Sequence, residues 1–351
     1  MKKLLLLFAA LLPCCLALSQ EAEGNGAYAD FHLIPRTEFN GYFAPGQTGD
    51  GSSGYNFGNT SFYTLVEGAF SEHVSFTFSN HWLAMAHLGF GETADLYRST
   101  LYSNVNNWTD IAKFDFTFGN WSFSVGKDCI ATGGFEYDDY DVDVDYLLVG
   151  DIDKPLIASN LWYNLPCYQW GAKVGYTFGE HTTLYAQMVT SPFGERPFAS
   201  GLFAYSAQLC GNYGAFSNMW SATALQRPDK GFDWLIALSQ QIELEDFTIG
   251  FNWYNLSDID YDDEDCPCGL FPGNTFRPII TYAPSEKLDF KLVGNIYTIP
   301  EVGFSDLNIG AAVHYHPWEI LQLHAATAWD RNSGILSFMA GLKLDLTVLS
   351  L

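Results

Sequence analysis

The sequence predicts an all-β chain, a transmembrane antiparallel β-barrel with an apolar outer face and a polar lumen. Three observations predict it. Apolar and polar residues alternate with a period of two in segment after segment, which puts successive side chains on opposite faces of a sheet. Short turns and long loops take turns along the chain, the habit of barrels with short periplasmic turns and long extracellular loops. Hydrophobic residues make up 48% of the chain while the mean hydropathy is +0.00, too polar for membrane helices and compatible with a wall that is greasy on one side only. Beyond the leader, no stretch reaches the roughly 18 consecutive apolar residues that a spanning helix needs. Only a closed sheet then satisfies every backbone group in lipid.

The first segment, MKKLLLLFAALLPCCLALSQ, reads as a secretory signal over residues 1–19. Lys2 and Lys3 give the positive start, Leu4 to Leu12 the short apolar core, and Ala17-Leu18-Ser19 the small residues of a cleavage site. Residues 20–351 then form one barrel domain. The full chain is strongly acidic: 40 Asp and Glu against 16 Lys and Arg, a formal charge of −24 that becomes −26 without Lys2 and Lys3. Nucleic acid and anionic headgroups require cationic contacts, so both are poor partners for this chain.

In order, residues 28–40 alternate, with Asp30, His32, Arg36, Glu38 and Asn40 opposite Phe31, Leu33 and Phe39. A glycine-rich loop, GQTGDGSSGYNFGN, follows. Strands near 60–70 and 74–84 flank Ser71-Glu72-His73. The hairpin AKFDFTFGNWSFSVGK turns at Gly119-Asn120 and sets Phe114, Phe116 and Phe118 against Lys113, Asp115 and Thr117. After the insert, Trp170 to Phe178 alternates, turns at Gly179-Glu180-His181 and returns to about Val189. A loop of some forty residues comes next, within which MWSATALQ reads equally as helix or strand. Later strands are joined at Glu245-Asp246, Pro284-Ser285-Glu286 and His316-Pro317. The last runs from Leu336 to Val348 after Asp330-Arg331-Asn332-Ser333. Six short turns make twelve strands, and the first and last make fourteen. The count becomes sixteen if the acidic insert supplies a further pair. Trp82, Trp121, Trp170, Trp234, Trp253 and Trp329 stand near strand ends, where interfacial girdles form.

The insert, about 135–165, carries FEYDDYDVDVDYLLVGDID. Asp139, Asp141, Asp143 and Asp145 share one face; Tyr140, Val142, Val144 and Tyr146 share the other. With the apolar side on the barrel wall, the carboxylates line a passage, favour cations and repel anions. Asp138, Asp151 and Asp153 extend the patch. A solvated outer loop is the plainer alternative. Asp141, Asp143 and Asp145 also have the first spacings of a calcium loop, but Tyr146 replaces its glycine and Ile152 its bidentate Glu. No dedicated metal or cofactor is expected; weak calcium binding at the acidic loops, including Asp258, Asp260, Asp262 and Asp263, is the remaining option. Cys129 and Cys167 flank the insert, and a disulfide between them would close it. The eight His are scattered and neither GxSxG nor HExxH occurs, so no catalytic residue and no enzyme activity is expected.

The stretch GNWSFSVGKDCIATGGFEYDDYD (119–141) resembles the bacterial outer-membrane porin superfamily, and within it the phosphate-selective porin O/P-like group. The matching positions are Val125, Gly126, Lys127, Gly133 and Gly134. CYQWGAKVGYTF (167–178) looks like the strand that resumes after a pore insert. The resemblance implies an insert into the pore, an outer-membrane location, lipid as neighbour, small solutes as cargo and a homotrimer as the assembly. Two features depart from it. Lumenal Arg and Lys are few, so anion selectivity is not carried over, and the chain ends Leu349-Ser350-Leu351 without the usual terminal aromatic. The expectation is a diffusion channel for small hydrophilic solutes or ions with a cation bias. The alternative is a barrel that binds rather than conducts, an adhesin or receptor.

Overall fold

A computed structural model describes residues 27–45, 53–88, 109–137, 148–149, 152–155, 157–159, 161, 165, 167–194, 200–228, 231–256, 272–300 and 303–351. Before the insert the strands are β1 (Tyr28–Phe43), β2 (Ser53–Ser71), β3 (Val74–Leu88), β4 (Thr109–Phe118) and β5 (Trp121–Cys129). The insert holds a pair, β6 (Leu148–Val149) and β7 (Ile152–Pro155). The wall resumes with β8 (Tyr168–Phe178), β9 (Thr182–Thr190), β10 (Phe203–Tyr213), β11 (Phe216–Arg227) and β12 (Gly231–Leu244). It continues through β13 (Phe247–Leu256), β14 (Gly273–Ser285), β15 (Leu288–Ile299), β16 (Phe304–Trp318) and β17 (Leu321–Asp330). It ends with β18 (Leu336–Leu344) and β19 (Leu346–Ser350).

Every wall strand pairs antiparallel with its neighbours in sequence, and the sheet closes where β1 meets both β2 and the β18–β19 segment. Arg36 lies opposite Lys343 and Asp30 opposite Ser350. β18 and β19 are two halves of one strand, interrupted at Asp345, whose carboxylate meets His32 Nδ1 at 2.8 Å. Counted so, the barrel has sixteen strands. The seven short turns lie at one rim, where Ala29 and Leu351 also join their backbones; the long connections lie at the other.

The count of sixteen arises differently from the sequence expectation. The extra pair is β10–β11, inside the stretch read as a long loop, with a turn at Gly214-Ala215. The insert's own pair, β6–β7, forms a separate two-stranded ladder outside the wall sheet. β10 and β11 were hard to see because Ala, Ser, Gly and Thr populate both faces and weaken the apolar–polar contrast. Two boundaries also move. β2 begins at Ser53, inside the glycine-rich loop, because Phe43, Tyr42 and Gly41 of β1 extend the ladder onto it. β16 passes through His316-Pro317 to Trp318, and the turn falls at Glu319-Ile320. The ladder is irregular between Tyr315 and Trp318, as a proline without an N–H requires.

The outer face is apolar around the whole circumference. Phe114, Leu184, Ile249, Leu292 and Phe338 are all exposed on it. A continuous belt of this kind far exceeds the patches that water-soluble proteins tolerate, and it matches a hydrocarbon environment. Aromatic rings gather near the short turns: Trp121 packs on Tyr176 at 4.7 Å and Phe247 on Tyr282 at 4.6 Å. Trp234 and Trp329 are exposed near the opposite rim, so girdles stand at both ends as expected. Cys129 and Cys167 are not joined by a disulfide, so no bridge between them closes the insert.

The lumen is not uniformly polar. Near the long-loop rim its lining turns apolar, at Val189, Leu225, Leu235 and Leu256 in one sector and at Val293, Ala312, Ala328 and Met339 in another. Both sectors are covered by the insert.

Candidate functional site

The chain leaves the wall at Ile130 and returns at Cys167, and between them it crosses the lumen. Each leg of the crossing is fixed by lumen-facing groups on distant strands. On the outgoing leg, Ala131 N donates to Gln187 Oε1 of β9 at 2.7 Å, and Thr223 Oγ1 of β11 donates to Ala131 O at 3.2 Å. Gln208 Nε2 of β10 reaches Gly133 O at 3.4 Å. Gly134 lies flat on β12: a Cβ there would stand 1.7 Å from Ser239 Oγ, so only glycine passes this close. On the return leg, Arg277 Nη2 donates to Ile157 O at 2.9 Å and Asn295 Nδ2 to the same oxygen at 3.2 Å. Ile157 sits against Gly310 of β16, where a Cβ would come within 2.5 Å of it.

Hydrophobic burial anchors the same two legs. Ile130, Leu161 and Leu165 pack on Val189, Leu225, Leu235 and Leu256. Ile157 packs on Val293, Ala312, Ala328 and Met339. A fully buried Leu or Ile contributes about 1.5–3 kcal/mol relative to exposure, so these four side chains add substantially to what holds the insert in place. The apolar lumenal sectors are therefore a docking surface made for this segment.

One acid joins the legs to each other and to the wall. Glu136, in a 3-10 turn at Phe135–Tyr137, is 3% exposed. Its Oε1 accepts from Ser159 N at 2.5 Å and lies 3.4 Å from Arg277 Nη1 of β14; Tyr254 Oη of β13 donates to Oε2 at 3.4 Å. A carboxylate this deep is tolerable only because donors surround it.

Beneath the insert a cavity of about 270 Å³ opens on the β12–β15 wall. Phe135 and Glu136 roof it; Asn252, Arg277, Thr281 and Lys291 are among its walls. Across the lumen, Asp128 binds two cations, with Lys113 Nζ at 3.3 Å and Lys173 Nζ at 3.2 Å. Ser124 Oγ donates to Asp115, which also lies near Lys113 at 3.6 Å. Glu38 meets Arg36 at 3.3 Å and His324 at 3.2 Å, and His314 meets Asp289 at 2.8 Å. Among the described residues the lumen thus carries paired charges of both signs.

Of the expected selectivity residues, Asp138, Asp139, Asp141, Asp143, Asp145 and Asp151 lie outside the described residues. Asp153 is on β7, in the insert's own ladder. The matched Lys127 is buried, with Nζ donating to Thr109 O. Among the described residues no group of three His, Cys, Asp or Glu is placed to hold a metal. The residues that hold the insert, Glu136, Tyr254 and Arg277, were not singled out from sequence. Glu136 is the first of a run of acids and looks like the rest. Arg277 had one visible mark, a cation on the polar face of a strand in a chain with few cations.

No protein-family model matches the chain, and no curated protein matches it in sequence. Its fold is nevertheless shared with solved structures. An anion-selective porin from Comamonas acidovorans superposes with a TM-score of 0.61 at 9% identity, over 91% of this chain and 100% of that one. The outer membrane channel DcaP of Acinetobacter baumannii gives 0.54 at 12% identity, over 92% and 98%. OmpT, an outer membrane protein of Vibrio cholerae in trimer form, gives 0.53 at 10%, over 92% and 100%. The chain therefore has the fold of these porin and outer-membrane barrels, a closed antiparallel β-barrel.

Proposed function

We propose that the protein is a porin of the bacterial outer membrane, a water-filled diffusion channel for small hydrophilic solutes or ions. One observation carries the reading: a closed sixteen-stranded sheet with a lipid-compatible exterior holds its insert inside the lumen. An insert pinned by buried contacts narrows the passage to a fixed constriction, and permeation then needs no covalent step. The aspartates Asp138, Asp139, Asp141, Asp143, Asp145, Asp151 and Asp153 belong to this same insert. In this reading they face the water path and favour cations. The formal charge of −24 supports the same sign. A homotrimer is the assembly proposed, since a structural neighbour is described as a trimer.

Reconstitution tests the channel. Proteoliposomes holding the mature chain are expected to swell in isosmotic sugars and amino acids, and planar bilayers to show discrete conductance steps. Reversal potentials in a KCl gradient are expected to carry the sign of cation preference. A barrel that neither swells vesicles nor conducts would be the binding protein, adhesin or receptor, instead. Light scattering of the detergent complex reads the assembly.

A further inference from the structure

The cavity beneath the insert is floored by two lumenal rows of the wall. Gln241, Gly250 and Ile279 are ladder partners across β12, β13 and β14. Thr248 and Thr281 form the next row toward the short turns. Phe135 of the insert, half-buried, lies over them. A Cβ on Gly250 would meet nothing closer than 3.7 Å. Packing therefore does not demand glycine there, and the floor is open at that point.

The charges around this cavity already have partners in the protein. Glu136 and Arg277 meet at 3.4 Å, Arg277 also holds Ile157 O, and Lys291 is engaged by a neighbour of its own. A charged solute would leave water here with no spare counter-charge to receive it, which is costly. The uncharged groups stand differently. The Thr248 and Thr281 hydroxyls line the cavity, are partly accessible and have no hydrogen-bond partner among the described residues. Gln241 donates through Nε2 to Glu243 Oε1 at 3.1 Å, which leaves its own Oε1 to accept.

On these grounds, and resting on the channel reading, we infer that this cavity is a binding subsite for a neutral hexose. The C–H face of the sugar ring lies on Phe135, whose π-face is electronegative. The sugar hydroxyls donate to Gln241 Oε1 and exchange hydrogen bonds with Thr248 and Thr281. The body of the ring fills the space over Gly250, with Ile279 at its edge. An aromatic wall with a few convergent polar groups is the usual make-up of a small-molecule site, and a volume of about 270 Å³ is on the scale of a single ring. An acyclic polyol offers the hydroxyls without a rigid apolar face. The subsite sorts uncharged solutes, which the field of the lumenal carboxylates does not.

The test uses the whole mature protein in planar bilayers, with glucose, sorbitol and gluconate as probes. They share a carbon count; sorbitol lacks the ring, and gluconate lacks the ring and carries a charge. Glucose is expected to interrupt the single-channel current at concentrations about threefold or more below those of the other two. Thr281→Val, Phe135→Leu and Gly250→Val are each expected to raise the glucose concentration needed by about threefold to tenfold, the effect of losing one hydrogen bond or ring contact. The conductance steps of each variant show that its barrel has assembled. Thr117→Val, which removes a lumenal hydroxyl from β4 on the far wall, is expected to leave the glucose effect in place. Sorbitol or gluconate acting at the glucose concentration, or a glucose effect that survives all three cavity substitutions, overturns the subsite while the conductance steps still establish the channel. Absence of any conductance overturns the channel reading itself.

Discussion

The Glu136 carboxylate and the Arg277 guanidinium lie 3.4 Å apart, one on the insert and the other on β14 of the wall. Their sequence separation is large, both are nearly inaccessible to solvent, and together with Tyr254 and Ser159 N they tie two legs of the insert to one place. The clasp fixes the described legs of the insert to the wall.

Removing one partner leaves the other charge buried and uncompensated, which costs about 3–5 kcal/mol. Glu136→Gln is therefore expected to loosen the insert and to give larger, noisier conductance steps in planar bilayers. Glu136→Gln combined with Arg277→Met is expected to recover part of the quiet wild-type behaviour, since neither charge is then stranded. Identical traces for wild type and both variants would show that the clasp does not set pore width.

The apolar legs give an independent handle. Ile157→Asp would place a carboxylate among Val293, Ala312 and Met339, and Gly310→Leu would drive a side chain into the space Ile157 occupies. Either change is expected to release the return leg while the wall remains closed. Limited proteolysis from the loop side should then cut near residue 157, at a rate well above wild type, with the heat-modifiable mobility of the folded barrel retained.

The wall distinguishes its two faces sharply. Leu292 points to lipid and Thr281 to the lumen. Arg at a lipid-facing site near mid-wall costs about 2–4 kcal/mol, whereas a lumenal Arg keeps its water. Leu292→Arg is expected to lower stability by that amount in denaturant unfolding from vesicles, and Thr281→Arg by much less. Equal losses would contradict the assignment of faces.

Ion bias should respond to the acidic insert. Replacing Asp139, Asp141, Asp143 and Asp145 together by Asn is expected to lower the cation-to-anion permeability ratio severalfold, read from reversal potentials in a salt gradient. An unchanged ratio would place those carboxylates away from the ion path and hand selectivity to lumenal groups such as Asp128, Lys113 and Lys173.

The amino-acid sequence by itself determined the wall. A period of two with one face apolar leaves a strand no choice about which side meets lipid, so Phe114, Trp121 and the Leu336–Phe338–Ala340 row were legible, and the tight turns at Gly119-Asn120 and Gly179-Glu180 with them. That local signal faded where small residues fill both faces, which is why β10 was missed and MWSATALQ of β11 stayed open between helix and strand. Tertiary structure alone decided where the insert is held in the lumen and by which wall residues. Which wall residues meet the insert depends on sheet closure, which brings Glu136 to Arg277 and Ile157 to Gly310 across more than a hundred residues. No short-range pattern encodes those meetings, because they are made by the curvature and register of the whole barrel rather than by any one strand.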